Sequence, residues 1–147
     1  MKKIVYVDMD NVLVNFESGI KKLDEEIKKE YDGHLDDVPG IFSLMEPMPD
    51  AIDVYEQLTQ KYDVYILSTA PWKNPSAWSD KLEWVKIFLP VSGYKRLILT
   101  HHKNLNNGDY LIDDRDTKGA GEFKGELIKF DSKNFNWIDV RNYLLEK

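Results

Sequence analysis

Five short apolar runs, spaced through the chain, constrain its fold more than any other feature. They are Ile4-Val5-Tyr6-Val7, Val64-Tyr65-Ile66-Leu67, Leu97-Ile98-Leu99-Thr100, Tyr110-Leu111-Ile112 and Leu127-Ile128-Lys129-Phe130. Short runs rich in β-branched and aromatic residues predict buried strands. Amphipathic stretches lie between them. Val12 to Glu30 is expected to be helical, because Phe16, Ile20, Leu23 and Ile27 recur at spacings of three and four. Asp50 to Lys61 predicts a second helix and Trp137 to Leu145 the last. Trp78 to Leu89 predicts another, with Trp78, Leu82, Val85 and Leu89 on its inner stripe. Strands that alternate with helices or long crossovers make an α/β fold, a parallel sheet of about five strands covered on both faces.

The segment from Tyr31 to Pro49 breaks this rhythm. It holds Gly33, Pro39, Gly40, Pro47 and Pro49, so it should be irregular, yet Ile41, Phe42, Leu44 and Met45 give it more apolar weight than a linker needs. One domain is expected from 147 residues. Its core is residues 1–16 and 49–147. Residues 17–48 form a small, partly helical insert over one end of the sheet.

Composition narrows the function. The chain is 42% hydrophobic and 31% charged, the balance of a soluble globular domain. No stretch approaches the roughly 20 apolar residues of a membrane helix. The start, Met1-Lys2-Lys3-Ile4, lacks the features of a secretory leader. With no cysteine, disulfides and thiolate metal sites are excluded, and a cytoplasmic location is expected. A net charge of −6 without a lysine or arginine run argues against polynucleotide binding. It does not oppose one small phosphate ester, which a cation and a few lysines can neutralise locally.

Ligands of open parallel sheets bind beyond the carboxyl ends of the strands. The polar residues that follow the apolar runs are therefore the candidates: Asp8 and Asp10 after the first, Thr69 after the second, Lys103 after the third, Asp113 and Asp114 after the fourth. Four carboxylates at one rim would repel and raise one another's pKa. A hard divalent cation resolves this, and magnesium suits a few carboxylates plus a substrate phosphate. Neither histidine nor cysteine spacing supports zinc. Asp8, Asp10, Asp113 and Asp114 are thus the candidate metal residues. With the cation present, Asp8 can attack phosphorus as a nucleophile, while Asp10 protonates the leaving oxygen and later deprotonates water. Thr69, with nearby backbone N–H groups such as that of Ala70, and Lys103 would hold the non-bridging oxygens.

Asp8-Met9-Asp10-Asn11-Val12-Leu13, Leu67-Ser68-Thr69, Lys103 and Leu111-Ile112-Asp113-Asp114 resemble, in order, the four motifs of the haloacid dehalogenase superfamily. The resemblance implies a three-layer, Rossmann-like core with a small cap. A closer likeness is carried by Asp8-Met9-Asp10-x-Val12-Leu13-x-x-Phe16, Thr69-Ala70-Pro71, Lys81-x-x-Trp84-Val85, Ile98-Leu99-Thr100-x-x-Lys103, Asp109-x-Leu111-Ile112-Asp113-Asp114 and Met45-Glu46-Pro47-Met48-Pro49. These are similar to the 5'(3')-deoxyribonucleotidases. That likeness implies magnesium-dependent hydrolysis of deoxyribonucleoside monophosphates. It implies that Asp8, the Asp10 carbonyl and Asp113 or Asp114 hold the metal, and that Phe16 and Phe42 contact the nucleoside. The insert is shorter than in the animal enzymes, and such a small capped phosphatase could close its site by dimerising.

Two rival functions deserve a test. One is a phosphatase of the same superfamily acting on a sugar or cofactor phosphate. The other is a non-catalytic phosphate-binding or signalling domain, but a receiver domain needs its lysine last, and here Lys103 precedes Asp113-Asp114. Lys81 is read as solvated on its helix, Trp72 and Trp78 as packing residues, and His34, His101 and His102 as solvated.

Overall fold

The structure, a computed structural model, describes residues 1–147. Seven strands follow in chain order: β1 (Ile4–Val7), β2 (Val14–Asn15), β3 (Glu46–Pro47), β4 (Asp63–Ser68), β5 (Leu97–Leu99), β6 (Tyr110–Asp113) and β7 (Glu126–Lys129). Five form one parallel sheet in the order β5-β4-β1-β6-β7, and β2 pairs antiparallel with β3. The protein is therefore an α/β fold around a central five-stranded parallel sheet. β1, with no charged residue along its length, takes the central place, where both faces and both edges are covered. Val7 lies opposite Ile66 on one side and Ile112 on the other. The three middle strands thus leave the sheet at nearly the same level, which brings the residues after them to one rim.

Alternation along the strands separates two apolar layers. Val5, Val7, Val64, Ile66, Ile112 and Ile128 face the large core. Tyr6, Leu67 and Leu111 face the other way, against Ala120 and Phe123 of the β6–β7 connection. This second layer is thinner, since a 3-10 turn at Ala120–Glu122 covers it.

Five helices complete the fold: α1 (Phe16–Ile20), α2 (Glu25–Glu30), α3 (Ala51–Leu58), α4 (Pro75–Phe88) and α5 (Trp137–Leu145). The α5 bounds match the sequence expectation, and a reciprocal capping box between Asn136 and Asp139 fixes its start. Helix α4 begins earlier than Trp78 because Pro75 occupies its first turn, where a missing N–H is harmless. The expected helix from Val12 to Glu30 is instead two short helices. Asn11 takes a left-handed backbone (φ 62°), so Val12 and Leu13 lie in a turn. The Asp24 side chain accepts a hydrogen bond from the Ile27 N–H at 2.9 Å and starts α2 afresh.

The β2–β3 ribbon joins the core to the segment that carries α1, α2 and two 3-10 turns, Leu35–Asp37 and Ile41–Leu44. Val38, Ile41, Phe42 and Met45 of this segment are buried, each contributing roughly 1.5–3 kcal/mol. Polar contacts fasten it to α4. The Trp84 indole donates to the Met45 carbonyl at 3.1 Å, and the Asn74 amide to the Asp36 and Val38 carbonyls at 3.0 Å each. No helix is long and apolar enough to cross a membrane.

Candidate active site

The carboxyl ends of β1, β4 and β6 form the floor of a cleft of about 660 Å³. Asp8, Asp10, Phe16, Thr69, Lys103, Asp113 and Asp114 all line it. Four remote segments of sequence thus meet at one place, because the register of the central strands leaves them no other.

Asp8 follows β1 directly, and its N–H donates to the Ile112 carbonyl at 2.9 Å, so its backbone continues the sheet at the carboxyl end of the central strand. Its carboxylate is 3.0 Å from the Lys103 ammonium. Burial pushes the Asp8 carboxyl up to about 6. The Lys103 charge opposes this and the Asp113 charge adds to it. Lys103 sits between two acids, with Asp113 at 2.6 Å. Burial alone would lower its pKa, but Asp8 and Asp113 outweigh it and raise the ammonium above its ordinary value. The second Asp113 oxygen accepts from the Arg115 N–H at 3.0 Å, so both of its oxygens are engaged. Asp114 is freer, with Arg115 Nε 4.0 Å away. Burial and the Asp8 charge raise its pKa.

One oxygen from each of Asp8, Asp113 and Asp114 lies within 4.8 Å of the others. The Asp10 carboxylate stands apart from this triad and binds Lys81 at 3.0 Å. Burial raises the Asp10 pKa and the Lys81 charge opposes the rise. Around the floor, four carboxylates face two buried ammonium groups, an excess of two negative charges. Hard oxygen donors with that excess fit a divalent cation.

Lys81 corrects the reading of a solvated lysine. It is fully buried, donates to Ser68 Oγ at 2.8 Å as well as to Asp10, and lies 4.6 Å over the Phe42 ring. The inner stripe of α4 is Ala77, Lys81, Trp84 and Val85, while Leu82 is half exposed. The stripe is therefore turned by about one position from the sequence expectation. The spacing of Lys81 three residues before Trp84 was the available signal.

Thr69 lines the cleft, but its hydroxyl donates to the Thr100 carbonyl at 2.7 Å. The backbone N–H groups of Met9, Asp10, Thr69 and Ala70 have no acceptor within the protein, so four donors are free at the rim. Ala70 can take part only through this N–H, since its side chain is buried. The turn that carries Met9 and Asp10 is pinned from behind by the Trp137 indole, which donates to the Val12 carbonyl at 2.6 Å. Phe16 borders the cleft, whereas Phe42 does not. Phe42 is 2% exposed, edge-on to Phe16 with 5.8 Å between ring centres. The expectation that Phe42 contacts a nucleoside therefore meets a buried ring, held in place by the core and by Lys81.

Residues 23–142 match the family model described as 5' nucleotidase, deoxy (pyrimidine), cytosolic type C protein. A protein of Vibrio phage KVP40, provisionally named a 5'(3')-deoxyribonucleotidase, is 56% identical over 97% of this chain and 85% of its own length. The chain belongs to that nucleotidase family. A Staphylococcus aureus protein with the same provisional name is 35% identical over 99% of this chain and 97% of its own. Among solved structures, a haloacid dehalogenase-like hydrolase from Streptococcus pneumoniae superposes with a TM-score of 0.58 at 17% identity, covering 97% of this chain and 91% of the other. That likeness shows the fold. As a nucleotidase-family member with a haloacid dehalogenase-like fold, the protein is a hydrolase of phosphoric monoesters.

Proposed function

We propose that this protein hydrolyses deoxyribonucleoside monophosphates with magnesium, through a phosphorylated Asp8. The observation that carries the proposal is the placing of Asp8 on the cleft floor, 3.0 Å from Lys103, inside the acidic triad and beside an Asp10 held by Lys81. Asp8 would attack phosphorus as the ester P–O bond breaks, and Asp10, as the acid, would give its proton to the departing oxygen. Asp10, now a carboxylate, would take a proton from the water that cleaves the aspartyl-phosphate, which frees inorganic phosphate and regenerates Asp8. The rise in the Asp10 pKa on burial favours the protonated form that the first step needs. Lys103 and the free N–H groups of Met9, Asp10, Thr69 and Ala70 would bind the non-bridging oxygens as charge shifts onto them.

Asp8, Asp114 and the Asp10 carbonyl would hold the cation, with Asp113 fixed behind them by Lys103 and Arg115. The cation supplies positive charge that offsets repulsion between phosphate and carboxylate. The test is phosphate release from a panel of deoxynucleoside monophosphates and sugar phosphates, with magnesium and with chelator. Turnover is expected with magnesium and none with Asp8→Asn. Much faster turnover of sugar phosphates would replace the substrate class.

A further inference from the structure

The phosphate chemistry occupies only the floor of a cleft of about 660 Å³, which leaves room above it for the rest of a substrate. Two large aromatic side chains line it, the partly buried Phe16 and the exposed Trp72. Trp72 follows Thr69-Ala70-Pro71 directly and is 79% exposed. Other exposed apolar residues, such as Ile87, Val91, Tyr94 and Leu105, lie away from the cleft, whereas Trp72 lines it.

The ring is braced. Trp78 and His101 pack edge-on against it, with ring centres 6.4 and 5.9 Å away, and lie 6.0 Å from each other. The Trp78 indole donates to the Pro71 carbonyl at 3.2 Å, which ties the brace to the loop that carries Trp72. The Gly33–Asp37 segment, which also lines the cleft, is mainly polar, and Phe42 of the insert is buried. The insert therefore offers polar edges but little aromatic surface for a flat ring. The core loop offers that surface.

We infer that Trp72 is the stacking platform for the substrate's nucleobase and a determinant of specificity for nucleotides over base-free phosphates. This rests on the nucleotidase reading and adds the place where the base is read. Stacking is sequence-tolerant, since every base has a π-face. The polar groups of His34, Asp36 and Asp37, which line the same cleft, would meet the base's hydrogen-bonding edge.

The test compares a deoxynucleoside monophosphate with deoxyribose 5-phosphate, which keeps the phosphate and sugar and lacks the base. With the magnesium-loaded protein, Trp72→Ala should lower the ratio of the two kcat/KM values by roughly 10- to 100-fold, through loss on the nucleotide side. Trp72→Phe should keep most of the ratio. An unchanged ratio, or an equal fall on both substrates, would overturn the inference. Binding of the nucleotide to Asp8→Asn, with and without Trp72→Ala, separates the two claims. Absent turnover with binding that weakens in Trp72→Ala would sink the catalytic reading and keep the stacking site. Absence of nucleotide binding would sink both.

Discussion

Asp8 occupies a position that favours its neutral form, and this has a consequence for stability. In the metal-free protein its pKa rises from the ordinary 3.8 to about 6, chiefly through burial. A group that binds its proton more tightly when folded stabilises the fold fully below its unfolded pKa. That contribution is lost as pH rises through about 6. A rise of this size corresponds to roughly 3 kcal/mol. Asn keeps the shape and removes the charge. In chelator at pH 8, Asp8→Asn should therefore melt roughly 5 °C or more above the parent protein, and the gap should narrow towards pH 5. Melting curves across that range check it, and coincident curves at pH 8 would reject it. Lys81 gives a second expectation. It holds one Asp10 oxygen and leaves the other to the cleft. Asp10→Asn should slow turnover by at least 100-fold, the lower range for general acid–base catalysis. Lys81→Met, which keeps the packing on Phe42, should slow it by a smaller factor of about 10 or more. Parent-like kcat in Lys81→Met would leave the lysine a packing role only.

At the level of elements, two 3-10 turns set the position of Lys103. The turn at Lys103–Leu105 docks on the turn at Ala120–Glu122, and the Lys103 N–H donates to the Lys118 carbonyl at 2.8 Å. Gly119 makes the contact possible. Its φ is +88°, and an added Cβ would lie 2.7 Å from the Lys103 nitrogen and 2.4 Å from the Asn104 side-chain oxygen. Gly119→Ala should therefore shift Lys103, lowering kcat by about 10-fold or more along with the melting temperature, by a strain of roughly 1–3 kcal/mol. Full activity in this variant would show that the lysine does not depend on the docking. This contact was not legible in the sequence, because Gly119 and Lys103 gain meaning only once both turns are built. The central strands were legible, since residues buried on both faces must be apolar along their whole length. So was the meeting of Asp8, Thr69, Lys103 and Asp113-Asp114, which follows from strand ends in a parallel sheet. The break between α1 and α2 escaped because the apolar spacing continues across Asp24, whose cap competes with the helix locally. The burial of Phe42 escaped because an irregular segment carries no period from which to read its inner side.

For the whole molecule, the fold gathers an excess of acid where the sheet ends and covers it with a segment tied down by Trp84 and Asn74. The apolar layers must stabilise this arrangement against the repulsion it contains. Net charge is −6, so any salt screens the molecule in general, but only a cation at the triad relieves the local excess. A ligand that binds the folded state alone stabilises it by about 2.7 kcal/mol at a concentration 100 times its Kd. Magnesium added to chelator-treated protein should therefore raise the melting temperature by several degrees, and sodium chloride at equal ionic strength should not. Asp114→Asn should flatten the magnesium response, since it removes the freest oxygen of the triad and leaves the Lys103–Asp113 pair intact. A magnesium shift of parent size in Asp114→Asn, measured by calorimetry, would move the cation away from Asp114 and leave Asp8 and the Asp10 carbonyl to hold it.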